Sequence, residues 1–191
     1  AATRVIVHES IHDQFVDALV EAAQTLRPGL PDDADAFYGP LNNVNHFTTV
    51  SQKISALPEH ATIVTGGKQL GDKGFYFEPT VITGVRQDDA IVQDETFGPI
   101  LTVQPFNSDD QAIELANGVR YALASSVWTK DHATAEKFSR ALDFGAVWVN
   151  CHNIIENVMP FGGFKQSGIG REAGRSALEL YTEPKSVIMM L

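Results

Sequence analysis

The second half of the chain alternates strand-like and helix-like segments, and this alternation constrains the fold more than any other feature. The strand-like segments, rich in β-branched and aromatic residues, are 100–106, 122–128 and 146–151. The helix-like segments, with apolar residues at helical spacing, are 108–117 and 131–144. Because parallel strands need a crossover between them, the alternation predicts an α/β fold with a parallel sheet.

The first half is predicted to add strands and helices of the same kinds. The predicted strands and extended segments are 3–8, 61–67 and 74–85. The predicted helices are 10–26, which Pro28 and Gly29 end, and 44–57. The last residues break this pattern, because 186–191 form a strand candidate with almost no polar side. Since a bare apolar edge would aggregate, we expect this strand to pair, with another subunit as the candidate partner.

Charge and composition exclude several classes of function. The sequence has 14 Lys and Arg and 24 Asp and Glu, which gives a net charge of −10. It has no basic cluster that could bind nucleic acid. The chain has no apolar run of about 18 residues, so we expect no membrane span. One cysteine, Cys151, cannot form an internal disulfide and favours a reducing, cytoplasmic setting. No set of side chains has metal-ligand spacing, so no metal is expected.

The glycine-rich segment PFGGFKQSGIGREAG, residues 160–174, carries Gly168, Gly170 and Ala173 at the spacing of a dinucleotide fingerprint. That fingerprint needs a strand directly before it and a helix that begins on the glycines. Here a loop precedes the glycines, and 17 residues follow Gly174, too few for the rest of the unit. The spacing is therefore interpreted as accidental.

Several motifs together resemble one family. QDETFGPILTV, LASSVWTKD, GAVWVNC and PFGGFKQSGIGREAG follow one another as in the C-terminal part of the aldehyde dehydrogenase superfamily, and the resemblance covers residues 1–191. It implies an α/β fold with a mostly parallel sheet, helices on both faces and a C-terminal oligomerisation strand. Residues 1–178 would be the C-terminal catalytic domain and residues 179–191 the oligomerisation arm of a dimer or tetramer. The glycines would then serve tight loop geometry.

The resemblance implies an enzyme that oxidises an aldehyde to a carboxylic acid with NAD or NADP through a cysteine thiohemiacetal. In the family the nucleophile lies just before a segment that resembles AATRV. Aligning Arg4 with the family's arginine puts that cysteine two residues upstream of Ala1. The glutamate base and most of the cofactor domain would also lie upstream. We therefore expect the 191 residues to be a C-terminal fragment that is inactive alone.

Four residues match positions that contact the cofactor in the family. Glu95 matches the carboxylate that binds the nicotinamide ribose hydroxyls, and the alternative is a solvated acid. Phe97 matches the aromatic residue beside the nicotinamide, and the alternative is core packing. His46 and Thr49 stand where many relatives carry Gln and Lys that reach the adenosine ribose. That departure leaves the adenosine contact, and the choice between NAD and NADP, open.

Other residues match positions on the substrate side. Phe161 matches the aromatic residue of the aldehyde tunnel, and core packing is its alternative. Residues 151–158 match the variable substrate loop, whose candidate contacts are Cys151, Asn153, Ile154 and Ile155. Glu172, with Lys165, matches positions linked in some members to proton exit from the base. For Glu172 the alternative is an ordinary acid at a helix N-terminus.

Two other classes of function stay open. A thiol hydrolase would use Cys151 with its neighbour His152, but adjacent residues on a strand point to opposite faces, and nothing activates the thiol. A non-enzymatic module would bind a partner through the terminal strand.

Overall fold

The computed structural model describes residues 2–191, whose contacts divide the chain into two compact units with a boundary between Leu115 and Ala116. The strands are β1 (Arg4–His8), β2 (Thr62–Thr65), β3 (Thr80–Thr83), β4 (Ile100–Phe106), β5 (Tyr121–Ala122), β6 (Ala124–Val127), β7 (Ala146–Val149) and β8 (Phe164–Lys165). The helices are α1 (His12–Thr25), α2 (Val44–Ser55), α3 (Ala90–Gln93), α4 (Asp109–Asn117) and α5 (His132–Ala141), with 3-10 helices at Glu9–Ile11 and Arg175–Tyr181. The expected α/β class is confirmed.

The first unit is built on a four-stranded sheet in the order β1-β4-β3-β2. β4 pairs in parallel with both β1 and β3, and β2 adds an antiparallel edge. The side chains of β4 are buried on both faces, as expected for a central strand. Val16 and Ala23 of α1 pack against Val7, Val81 and Val103 of three different strands. The hydrophobic core of this unit therefore lies between α1 and the parallel strands.

The second unit contains a parallel pair, β6 and β7, joined by α5 as the crossover helix. Asp131 caps α5 by accepting a hydrogen bond from the Thr134 backbone N–H at 2.7 Å. Phe138 and Leu142 are buried. The short strands β5 and β8 form a separate antiparallel pair. None of the helices in residues 2–191 combines the length and hydrophobicity that crossing a membrane requires.

Three details differ from the sequence-based expectation. Segment 100–106 does not share a sheet with the two later strands, because β1 and β3 already occupy both edges of β4. Segment 122–128 is interrupted at Leu123, so that it forms β5 and β6. β7 ends at Val149, which places Cys151 in the following loop.

The terminal segment 186–191 is not a strand in this single chain, and no strand of residues 2–191 pairs with it. Its side chains are exposed, with Ile188 at 92% and Met190 at 95%. A strand needs a partner for its backbone hydrogen bonds, so the arm's pairing with a second subunit stays a prediction. The domain boundary at residue 179 also stays a prediction.

Candidate functional site

The loop between α3 and β4 carries both Glu95 and Phe97. Glu95 is exposed, and its carboxylate makes no hydrogen bond or ion pair within residues 2–191. The Phe97 ring is 72% exposed, so the core-packing alternative does not describe it in this unit. An exposed carboxylate and an exposed aromatic ring two residues apart could bind a ligand that has hydroxyl groups and a flat ring.

Helix α2 fixes the backbone of this loop along one face. Lys53 Nζ donates to the carbonyl oxygens of Asp94 at 3.2 Å and Glu95 at 3.0 Å, and to the Thr96 hydroxyl at 3.2 Å. His46 Nε2 donates a hydrogen bond to the Phe97 carbonyl oxygen. Sequence reasoning missed Lys53. The signal was its spacing, since residues 46, 50 and 53 lie on one side of a helix.

His46 and Thr49, the two candidate contacts of the adenosine ribose, both form hydrogen bonds within the protein. His46 Nδ1 accepts a hydrogen bond from the Asn42 backbone N–H at 3.3 Å, so both ring nitrogens have protein partners. The Thr49 hydroxyl donates to the Asn45 carbonyl oxygen at 2.9 Å. Cofactor contacts by His46 and Thr49 stay predictions, and each would have to compete with these bonds.

A small cavity lies beside Glu95, and Thr3, Arg4, Thr96 and Thr102 contribute to its lining. Arg4 donates a hydrogen bond to the Leu115 carbonyl oxygen. Burial lowers the pKa of Arg4 to about 10, which still leaves the guanidinium charged at neutral pH. The chain thus brings a fixed positive charge to the cavity that Glu95 also lines.

In the second unit, the structure pairs Phe161 with Glu172. The two residues form an antiparallel bridge, in which each backbone N–H donates to the other's carbonyl oxygen at 2.8 Å. The predicted tunnel residue and the predicted proton-exit residue are therefore neighbours. The glycines of this segment allow close backbone approach: a Cβ on Gly174, which has φ of 60°, would lie 3.1 Å from the Val158 carbonyl oxygen.

Lys165 is held away from that pair by other contacts. Its Nζ donates to the carbonyl oxygens of Asn117 at 2.8 Å and Val119 at 3.4 Å, and lies 3.3 Å from a carboxylate oxygen of Asp143. No hydrogen bond or ion pair joins Lys165 to Glu172 among the described residues. These contacts favour a bracing role at the C-terminal end of α4, and a proton-relay role for Lys165 stays an untested prediction.

The loop after β7 is anchored by two hydrogen bonds. Trp148 Nε1 donates to the Ile154 carbonyl oxygen at 2.7 Å, and Nδ1 of His152 is bonded to the Ser126 hydroxyl. Ile154 and Ile155 are 55% and 53% exposed, which leaves an apolar wall available to a substrate. Asn153, also exposed, adopts a left-handed conformation with φ of 59°.

Cys151 is half-buried in this loop, and its thiol forms no pair with His152, whose ring is bonded to Ser126 and lies against Trp148. The expected reason, opposite faces of a strand, is wrong because β7 ends before Cys151. Among residues 2–191 the structure nevertheless shows no Cys–His pair of the kind that a thiol hydrolase needs. Within residues 2–191, no group of three or more His, Cys, Asp or Glu could hold a metal ion.

Comparison with known proteins decides the family. The sequence profile described as "Aldehyde dehydrogenase family" matches residues 1–187. This chain belongs to the aldehyde dehydrogenase family. It is 45% identical over 192 residues to an aldehyde dehydrogenase of Davidiella tassiana, and the match covers 100% of this chain and 39% of that protein. It is 41% identical to the betaine aldehyde dehydrogenase of Bacillus subtilis, over 98% of this chain and 39% of the relative.

Solved structures agree with this assignment. A betaine aldehyde dehydrogenase of Staphylococcus aureus, crystallised in complex with NAD+, superposes with a TM-score of 0.90 and 40% sequence identity. The match covers 94% of this aldehyde dehydrogenase family chain and 37% of the solved one. The chain thus spans less than two fifths of the length of these relatives.

Proposed function

We propose that this chain forms the C-terminal part of an enzyme that oxidises an aldehyde to a carboxylic acid with NAD+ or NADP+. The observation that carries the proposal is Glu95, an exposed carboxylate without a protein partner among the described residues, on a loop whose backbone α2 holds in place. In support, a family member 40% identical to this chain was crystallised with NAD+.

In this proposal Glu95 accepts hydrogen bonds from two ribose hydroxyls, because one carboxylate offers two acceptor oxygens. Phe97 packs its exposed ring against the nicotinamide, and His46 and Thr49 are candidate contacts of the adenosine ribose. The bound cofactor supplies the hydride acceptor. The chain's contribution is to orient it, since correct placement of reacting groups can supply several kcal/mol of the barrier.

The second unit supplies the proposed substrate contacts. Phe161, Ile154 and Ile155 present apolar surface, while Asn153 and the half-buried Cys151 add polar atoms. This composition suits an aldehyde with an apolar chain and a polar end. Glu172, which is exposed and bridged to Phe161, is the candidate group for accepting a proton on its way to solvent.

The 191 residues by themselves are proposed to be inactive. Family chemistry needs an activated cysteine. Cys151 is the only cysteine of the sequence, and within residues 2–191 its thiol has no hydrogen bond to a base, since His152 is bonded to Ser126 instead. We further propose a cytoplasmic protein that assembles as a homo-oligomer through its exposed arm, residues 179–191. The exposed apolar side chains of the arm also favour the second candidate function, a binding module without catalysis.

The test compares two proteins: residues 1–191, and the protein as its gene encodes it, including any codons before that of Ala1. NADH or NADPH formation is followed with a set of aldehydes. We expect activity in the gene-encoded protein and none in residues 1–191. Glu95→Gln should raise KM for the cofactor, whereas Glu59→Gln, a change at an exposed glutamate elsewhere in the first unit, should not. A gene-encoded protein that oxidises no aldehyde would contradict the proposal.

A further inference from the structure

The Glu95 loop depends on helix α2 for its backbone hydrogen bonds. It follows α3, a helix of only four residues. Between α3 and β4, the carbonyl oxygens of Asp94 and Glu95 both accept from Lys53. The loop conformation at Glu95 is therefore set by a side chain 42 residues earlier in the sequence.

The three attachment points of the loop lie along one face of α2. At one end His46 bonds to the Phe97 carbonyl oxygen, and at the other Lys53 bonds to residues 94–96. Between them, Gly98 lies close over Val50: a Cβ built on Gly98 would come within 3.3 Å of Val50 Cγ2, tighter than an ordinary van der Waals contact. Because the spacing is i, i+4 and i+7, a rigid helix carries all three contacts.

Lys53 suits this position chemically. An ammonium group has three donor hydrogens, so it can donate to several acceptors of one loop at once, and three acceptors of residues 94–96 lie 3.0–3.2 Å from Lys53 Nζ. Lys53 also lies in the last turn of α2, where the helix dipole favours a positive charge. Its bonds go to the backbone of Glu95, so they fix the position of the residue while its carboxylate stays exposed.

We propose that Lys53 is a positioning residue that holds Glu95 where it can bind the cofactor ribose; this inference rests on the proposed function. Lys53 acts only through the loop. His46 acts with Lys53, because its Nε2 is bonded to the Phe97 carbonyl oxygen at the other end of the loop and its Nδ1 to the Asn42 backbone N–H. The role of this α2 face is thus to order the ribose-binding loop.

The test is a double-mutant cycle in the gene-encoded protein, with KM for NAD+, KM for the aldehyde, kcat and Tm as measurements. Lys53→Met removes the donors and keeps the length of the side chain. We expect it to raise KM for NAD+ by about tenfold, in the range of coupling energies between contacting residues, with KM for the aldehyde unchanged. In a Glu95→Gln background the same change should raise KM for NAD+ by less than about twofold, because the carboxylate to be positioned is gone.

Two controls separate positioning from general destabilisation. Lys53→Arg keeps a cation with several N–H donors and should restore most of the affinity for NAD+. Lys68→Met changes an exposed lysine of the same unit and should leave KM for NAD+ unchanged. If Lys53→Met does not fold, Lys53→Gln, which keeps one donor group, replaces it in the cycle. Faster hydrogen exchange of the amides of residues 95–97 in the Lys53 variant is expected as well.

The outcomes are distinct. A lower Tm with unchanged KM for NAD+, or an effect of Lys53→Met that is the same with and without Glu95, overturns the positioning role and leaves the proposed function intact. A parent protein that oxidises no aldehyde with either NAD+ or NADP+ overturns both, and where the parent uses NADP+, the same measurements are made with NADP+. A large effect that disappears in the Glu95→Gln background supports the inference.

Discussion

Asp89 shows how one carboxylate joins two loops of the first unit. Its Oδ2 accepts a hydrogen bond from the Arg86 backbone N–H at 2.7 Å and lies 2.9 Å from His60 Nε2. Burial alone would raise the pKa of Asp89, but the hydrogen bonds from Arg86 and His60 outweigh it, so the net pKa is lowered. The ionised carboxylate is therefore the form that stabilises the fold.

Asp89→Asn should lower the free energy of unfolding by about 2 kcal/mol at pH 7, the scale of a hydrogen bond to a charged group. Because the folded pKa lies below the unfolded value of about 3.9, the stabilisation is present above that pH and is lost as the pH falls through the folded pKa. Urea unfolding at pH 7 and pH 3 measures this, and the difference between parent and variant should shrink at pH 3. Asp88→Asn, at an exposed neighbour, is the control, and an equal loss there would contradict the prediction.

Gly145 is required by a close backbone approach. A Cβ at this position would overlap the Gly162 carbonyl oxygen and lie 2.8 Å from its carbon. Gly145→Ala must therefore push residues 160–163 away, and we expect the free energy of unfolding to fall by about 2 kcal/mol or more. Gly39→Ala is the matched control, because no heavy atom other than those of its own chain neighbours lies within 4 Å of the position that its added methyl group would take, and it should be neutral or slightly stabilising. Equal urea midpoints for both variants would refute this requirement.

At the scale of single residues, sequence motifs singled out Glu95, Phe97 and Phe161 because each lies in a segment with a recognisable pattern. They did not find Lys53. A lysine in the last turn of a helix is common, and its bonds to the Glu95 loop arise only from tertiary packing. Motifs thus predict which side chains can meet a ligand, whereas the residues that hold them in place depend on the fold.

At the scale of elements, local patterns predicted most of the strands and helices but not which strands pair. β1 and β4 are neighbours in the sheet although about a hundred residues separate Arg4 from its partner Thr102. Hydrophobic periodicity reports burial within a segment and carries no information about the partner strand. The expectation of one sheet through segments 100–106, 122–128 and 146–151 failed for this reason.

The central position of β4 leads to a stability prediction. Val103 is fully buried in the core under α1, so Val103→Ala should leave a cavity and lower the free energy of unfolding by about 2 kcal/mol. Val44→Ala removes the same atoms from a side chain that is 56% exposed, and should change stability by less than about 0.5 kcal/mol. Urea unfolding of both variants is the measurement. If both variants lower the free energy of unfolding by similar amounts, β4 is not central to the core.

At the scale of the whole molecule, the terminal arm stands out because its apolar side chains are not buried within the chain. Residues 187–191 are all exposed apolar side chains, and Leu178 and Tyr181 nearby are 67% and 83% exposed. A contiguous exposed apolar surface marks an interaction site. Composition alone predicted that this segment needs a partner, and residues 2–191 do not bury it. Its pairing with a second subunit stays a prediction.

Removal of residues 184–191 should therefore reduce the oligomeric state, measured by light scattering coupled to size-exclusion chromatography over a range of concentrations. A point variant keeps the length: Ile188→Asp with Met190→Asp places two charges on one side of the arm, since alternate residues of a strand share a face. Ser186→Asp adds a charge at the start of the same segment without removing an apolar side chain, and serves as the control. We expect the truncated and double-Asp proteins to form smaller particles than the parent, because pairing through the arm depends on its apolar side chains. The Ser186→Asp protein should keep the oligomeric state of the parent. If all four proteins have the same oligomeric state, the arm does not hold subunits together.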